Sequence, residues 1–161
     1  MRMRYRSQLS MLGVAGTLAL AGCSDVLGLG GPKIVVSVAR QSNVGDPLLL
    51  QADIGGRRVE VESPRTLDDY DEGYREVRGP RFGDVRVQAT VLTASRDTLA
   101  TVEFTQGFRR GDRHWISAVV GPNRPEGFCI GDMVAAPLRT APSGADSLFV
   151  MYGGLPEGAI C

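Results

Sequence analysis

Between residues 84 and 92 every second side chain is apolar: Val85, Val87, Ala89 and Val91 alternate with Arg86, Gln88 and Thr90. A period of two sorts side chains onto opposite faces of an extended chain, whereas a helix would mix them. The same alternation returns at Ile34, Val36 and Val38, at Val59 and Val61, and at Ala100, Val102 and Phe104. Residues 48–54 (LLLQADI), 113–120 and 147–152 are further apolar runs of strand length. No stretch of ten or more residues carries the 3.6-residue spacing of an amphipathic helix, and no segment repeats.

Turn residues divide these runs. The chain holds 21 Gly and 9 Pro in 161 residues, a density that suits short strands and turns. Gly55-Gly56, between 48–54 and 58–62, predicts a hairpin. Residues 63–73 (SPRTLDDYDEG) read as a loop, and 74–78 as a short edge strand ended by Gly79-Pro80. Residues 84–92, 98–105 and 113–120 are expected to form a meander through turns at 93–97 and 107–112. Residues 121–145 carry Pro122, Pro125, Pro137 and Pro142 and read as a long loop or crossover, with at most a helical turn at 133–136. Residues 153–161 (GGLPEGAIC) read as a tail. Some seven short strands with polar outer faces predict an all-β, antiparallel β-sandwich. In pattern, though not in motif, it resembles the immunoglobulin-like or transthyretin-like class. Trp115 precedes Cys129 and Cys161, so the Cys-Trp-Cys order of true immunoglobulin domains is not present.

The amino terminus has a different logic. Arg2, Arg4 and Arg6 precede an apolar run at 9–20, which ends in the small residues Ala21 and Gly22 before Cys23. This is the pattern of a secretory signal peptide. Leu20-Ala21-Gly22-Cys23 resembles the lipobox of bacterial lipoproteins. The resemblance implies cleavage before Cys23, a diacylglycerol on its thiol and acylation of its new amino group. It covers the leader only. The expected organisation is a signal peptide at 1–22, a Gly-rich lipidated tether at 23–32 and the sandwich domain at 33–161. Ser24 after the cysteine favours the outer membrane, with the domain facing the periplasm or the cell surface. Cleavage removes three Arg and no acid, leaving 15 basic against 18 acidic residues.

An apolar fraction of 43% with 22% charged residues excludes a disordered chain. Formal charge of zero gives no basic footprint for nucleic acid. With Cys23 assigned to lipid, Cys129 and Cys161 remain, and two cysteines of an exported domain usually pair. That disulfide would close a loop of about 33 residues, worth about 3.7 kcal/mol in the chain-entropy account. Two free thiols are the other reading. No metal and no cofactor are expected, because only His114 could join the cysteines at a zinc site that needs four ligands.

The remaining candidates are weaker. His114, the lone histidine, sits in Asp112-Arg113-His114-Trp115, where a solvated strand residue is the plain reading and a general base the sharper one. No serine stands in G-x-S-x-G, so no catalytic residue is assigned. Asp68, Asp69, Asp71 and Glu72 offer oxygens to a cation but lack the spacing of a calcium loop. Arginines at 57, 58, 65, 75, 78, 81 and 86, and at 109, 110 and 113, are interleaved with acids, which reads as a solvated mixed surface. The function expected is a lipid-anchored, non-catalytic binding or structural module of the cell envelope. It would touch the membrane through Cys23 and take an envelope protein or a glycan as partner. The alternatives are an envelope hydrolase using carboxylates such as Asp68 or Asp71, and an accessory subunit that adds a strand at a sheet edge.

Overall fold

The computed structural model describes residues 30–41, 46–64, 70–125, 131–140 and 147–156. They form nine strands: β1 (Lys33–Gln41), β2 (Leu48–Ile54), β3 (Arg57–Glu62), β4 (Tyr70–Arg78), β5 (Gly83–Thr93), β6 (Thr98–Phe108), β7 (Asp112–Gly121), β8 (Asp132–Pro137) and β9 (Ser147–Pro156). Every strand belongs to the compact unit of residues 31–161. One sheet has four strands in the order β3-β2-β5-β6, and the other has five in the order β4-β1-β7-β9-β8. All pairs are antiparallel except β1 with β7, which run parallel.

The two sheets form a β-sandwich because each has one apolar face. Leu50, Ala52 and Ile54 of β2, Val87, Ala89 and Val91 of β5, and Val102 and Phe104 of β6 point inward from the first sheet. Ile34, Val36 and Val38 of β1, Ile116, Ala118 and Val120 of β7, and Leu148 and Val150 of β9 meet them from the second. The outward face of the first sheet is polar: Arg86 pairs with Glu103, Gln88 Nε2 donates to Glu103 Oε1 at 2.9 Å, and Arg96 reaches Glu60 at 3.3 Å. The outward face of the second sheet carries a small buried cluster of Ala39, Val119 and Met151, with Met133 against it.

Local chemistry accounts for the hairpins. Gly55 and Gly56 both take positive φ (59° and 88°), the pairing that a tight turn matched to strand twist requires. The Gly56 amide donates to Asp53 Oδ1 at 2.8 Å, which closes that turn.

Four sequence expectations are corrected. The meander breaks after β6: β5 and β6 pair, but β7 crosses to the other sheet and lies between β1 and β9. The loop expected at 63–73 ends early, because β4 starts at Tyr70 and pairs along the whole of β1. Residues 132–137 are an edge strand, not a loop or helical turn, since β9 supplies a ladder that Met133 to Ala136 can join. Residues 153–156, expected in a tail, belong to β9, which pairs with β7 as far as Asp112↔Pro156. In each case a partner distant in sequence overrides the local Gly, Pro or charge signal.

Candidate functional site

The sheets meet along two lateral seams. At the first, edge strands β3 and β4 come together. A Cβ on Gly73 of β4 would collide with the carbonyl of Glu62 at the end of β3, so backbone lies on backbone there. Past the end of β3, Ser63 Oγ accepts from the Leu48 amide at 2.9 Å, and the wholly buried Arg40 donates from Nη2 to the Pro64 carbonyl at 2.8 Å. Arg57 donates to the carbonyl of Arg78 at 2.6 Å.

The second seam joins edge strands β6 and β8. At one end the amide of Arg139, just past β8, donates to the Leu99 carbonyl at 2.8 Å. At the other end β9 runs on beyond β8, and a cavity of about 380 Å³ opens. Its walls include Gln106 of β6, Arg109 of the β6–β7 turn, Asp112 of β7, Asp132 of β8, and Tyr152 and Gly153 of β9. This volume falls at the small end of the range of about 300–1,000 Å³ usual for small-molecule sites.

Gln106 is the unusual wall. It takes the inward position that follows Val102 and Phe104 along β6, where the pattern asks for an apolar side chain, and it is only 3% exposed. Its Nε2 donates to the Gly153 carbonyl at 2.7 Å, across the seam. Its Oε1 is buried without a hydrogen-bond partner among the described residues. A buried acceptor left unmet costs about 1–3 kcal/mol, so such an atom calls for an explanation.

Tyr152 is another of the cavity's lining residues. Its ring stacks on Phe104 with centroids 3.9 Å apart and planes 20° from parallel, which ties β9 to β6. Asp132 is its register partner across the β8–β9 ladder. Burial first, and the Asp132 carboxylate second, hold the Tyr152 hydroxyl above its ordinary pKa, so the phenol stays a neutral donor.

His114 sits beneath this region and is buried, against the expectation of a solvated residue. Its Nε2 lies 3.2 Å from both the amide and the carbonyl of Arg109, and Phe108 packs edge-on at 5.0 Å. Its Nδ1 has no partner among the described residues, and a Cβ on Gly154 would collide with it. The imidazole thus fastens the β6–β7 turn that carries Arg109 and Asp112.

The other sequence candidates fall elsewhere. Cys23, Cys129 and Cys161 lie outside the described residues, as do Asp68 and Asp69. Asp71 and Glu72, expected in the loop, are strand residues opposite Arg40 and Ala39. Four of the described arginines are engaged separately. Arg57 and Arg78 donate to backbone carbonyls, Arg86 pairs with Glu103, and Arg110 lies 5.1 Å over the Phe82 ring. Among the described residues no three His, Cys, Asp or Glu side chains gather as a metal site.

The sequence reading missed Gln106, Asp132 and Tyr152 as a group. One signal was present: Gln106 breaks the apolar alternation of β6 at an inward position. No protein-family model, curated protein or solved structure matches this chain.

Proposed function

We propose that this protein is a membrane-tethered binding module of the bacterial cell envelope, lipidated on Cys23 and binding through the cavity at the β6–β8 seam. The tether rests on the basic, apolar leader that ends in Leu20-Ala21-Gly22-Cys23. Two or more acyl chains on one residue give stable anchoring where a single chain gives only marginal binding. The binding role rests on one observation, a cavity of about 380 Å³ at the β6–β8 seam whose walls bring together Arg109, Asp112, Asp132 and Tyr152. A binding rather than a catalytic role fits the way His114 is used, since its ring is packed into the core under Gly154 and fastened to the Arg109 backbone.

Export would also place Cys129 and Cys161 where they oxidise, and we assign them to one disulfide. A single experiment tests the tether and the bridge. Mass spectrometry of the protein from membranes should find a mature chain starting at an acylated Cys23, and an unreduced digest should link the peptides of Cys129 and Cys161. Cys23→Ala should leave an unprocessed precursor or soluble protein. A mature chain starting elsewhere, with Cys23 unmodified, would remove the tether from the proposal.

A further inference from the structure

We infer that the end of the sandwich at which the chain enters β1 is a basic surface that rests on the anionic headgroups of membrane phospholipid. The inference rests on the tether at Cys23 and adds the surface that the tether presents. Along the sequence arginines and acids are interleaved, but the strands sort them by end. β3 begins with Arg57 and Arg58 and closes on Glu60 and Glu62, while β4 begins with Asp71 and Glu72 and closes on Arg78. The bond from Arg57 to the Arg78 carbonyl sets the two basic ends side by side, and the approach of Gly73 to Glu62 joins the two acidic ends.

Other loops extend the basic end. Lys33 is the register partner of Arg78. The β4–β5 connection carries Arg81 and packs on the hairpin, where a Cβ on Gly55 would press on Pro80. Arg110 over the Phe82 ring brings in the β6–β7 turn, with Arg109 and Arg113 beside it. Apart from Arg78, all of these cations are exposed. Among the described residues the ion pairs are Arg86 with Glu103 and Arg96 with Glu60, and neither draws on this group. Asp53, Glu76, Asp84 and Asp112 share the end but are half as many as its cations, so positive charge is in excess. Guanidinium forks match phosphate oxygens, and attraction to an anionic bilayer is felt within about a Debye length of its surface.

The chain itself brings this end to the membrane. The Pro32 carbonyl accepts from the Gly79 amide at 2.7 Å, and the Gly31 carbonyl accepts from Arg78 Nη1 at 3.3 Å, so the entry point is fastened beside the Arg81 loop. Eight residues separate Cys23 from Gly31; fully extended they span at most about 28 Å, and a Gly-rich chain averages about 16 Å. The opposite, acidic end lies a strand's length further on. The eleven residues of β5 alone measure about 36 Å, which exceeds the full reach of the tether.

The test inserts the protein, purified from membranes, into preformed vesicles of phosphatidylcholine alone or with one quarter phosphatidylglycerol. Flotation with the vesicles reads the anchor. Trypsin cleavage after Arg81, Arg109 and Arg110, each relative to cleavage after Arg96 at the far end, reads the docking. On the anionic vesicles these ratios should fall by about fivefold or more and recover in about 0.5 M salt. Arg58→Glu combined with Arg81→Glu should abolish the fall at Arg109 and Arg110, whereas Arg124→Glu at the far end should leave it. Flotation with both vesicles and equal ratios on both would overturn the docking and leave the tether standing. A fall that survives salt or the double variant would also overturn it. Flotation with the anionic vesicles alone would remove the tether and keep the basic surface, and flotation with neither would overturn both.

Discussion

Along the β3–β4 seam the two sheets approach until backbone touches backbone, whereas along the β6–β8 seam they part at one end and leave a polar cavity. The closed seam has no room for a side chain at Gly73, and its charged residue, Arg40, is wholly buried with its guanidinium turned to a carbonyl of the same chain. The open seam has four glycines on its walls or rim, and its polar residue, Gln106, has a buried Oε1 without a hydrogen-bond partner among the described residues. Three of those glycines have packing reasons. A Cβ would press Gly107 toward Asp84, Gly131 toward the Tyr152 carbonyl, and Gly154 into the His114 ring. Gly131 and Gly154 are therefore required by close approach. Around the open seam, Gln106 Oε1 and His114 Nδ1 are both buried without a partner among the described residues.

This contrast can be broken most directly at the closed seam. Gly73→Ala forces a methyl group into the Glu62 carbonyl, and overpacking of this kind should lower stability by about 3 kcal/mol. Urea unfolding reads it as a fall in the midpoint at unchanged slope. A loss below about 0.5 kcal/mol would mean that the seam yields and is not a close backbone contact.

At the open seam the expected change is smaller. Gln106→Met removes the bond to Gly153, but it also removes the unmet Oε1, so the two effects oppose. The net change should stay within about 1 kcal/mol of wild type, read in the same unfolding experiment. A loss of several kcal/mol would show that Gln106 serves the fold and not a ligand.

The smallest effect belongs to the outward face of the first sheet. The hydrogen bonds from Arg86 and then Gln88, with the Arg86 charge, hold the Glu103 carboxyl below its ordinary range. A lowered native pKa means that the unfolded chain takes up the proton first as pH falls. The stabilisation is therefore complete above the unfolded value and fades as pH drops through the native one. Both partners are exposed, so the effect should be slight and sensitive to salt. Glu103→Gln should lower the urea midpoint a little at neutral pH, and the difference should vanish in acid. A gap that widened in acid would contradict the assigned charge state.

The sequence exposed the parts of this fold whose signals are local. The Gly55-Gly56 hairpin and the alternation of β5 depend on turn chemistry and on a two-residue period, and both are read without a partner strand. β8 was hidden because Met133 to Ala136 has no alternation of its own and becomes a strand only against β9. The crossing of β7 was hidden for a related reason. The Arg109–Gly111 turn would serve a hairpin as well as a passage between sheets, and the choice is made by β1 and β9 on either side. The candidate site shares this difficulty. Gln106 could be noticed as a polar residue in an apolar row, but Asp132 and Tyr152 come together through the β8–β9 register, and Asp112 through the crossing. The proposed lipidation and cysteine pairing rest on sequence and compartment, which strand geometry does not address.

The parallel β1–β7 pair has a bearing on how the chain reaches this state. Ser37 and Ser117 share a hydrogen bond of 2.8 Å although they stand 80 residues apart. β2, β3, β5 and β6 all lie between Leu48 and Phe108, and their sheet can assemble from two hairpins and one further pairing. The five-stranded sheet cannot, because β1 must wait for β7 before it gains its second neighbour. Closing so long a loop is slow compared with closing a hairpin. Without β7 and β9 the apolar row of β2, β5 and β6 would lose Ile116, Ala118, Val120, Leu148 and Val150 from its cover. Uncovered apolar surface promotes association between copies, so β7 and β9, both from the last third of the chain, shield an apolar face built from earlier residues.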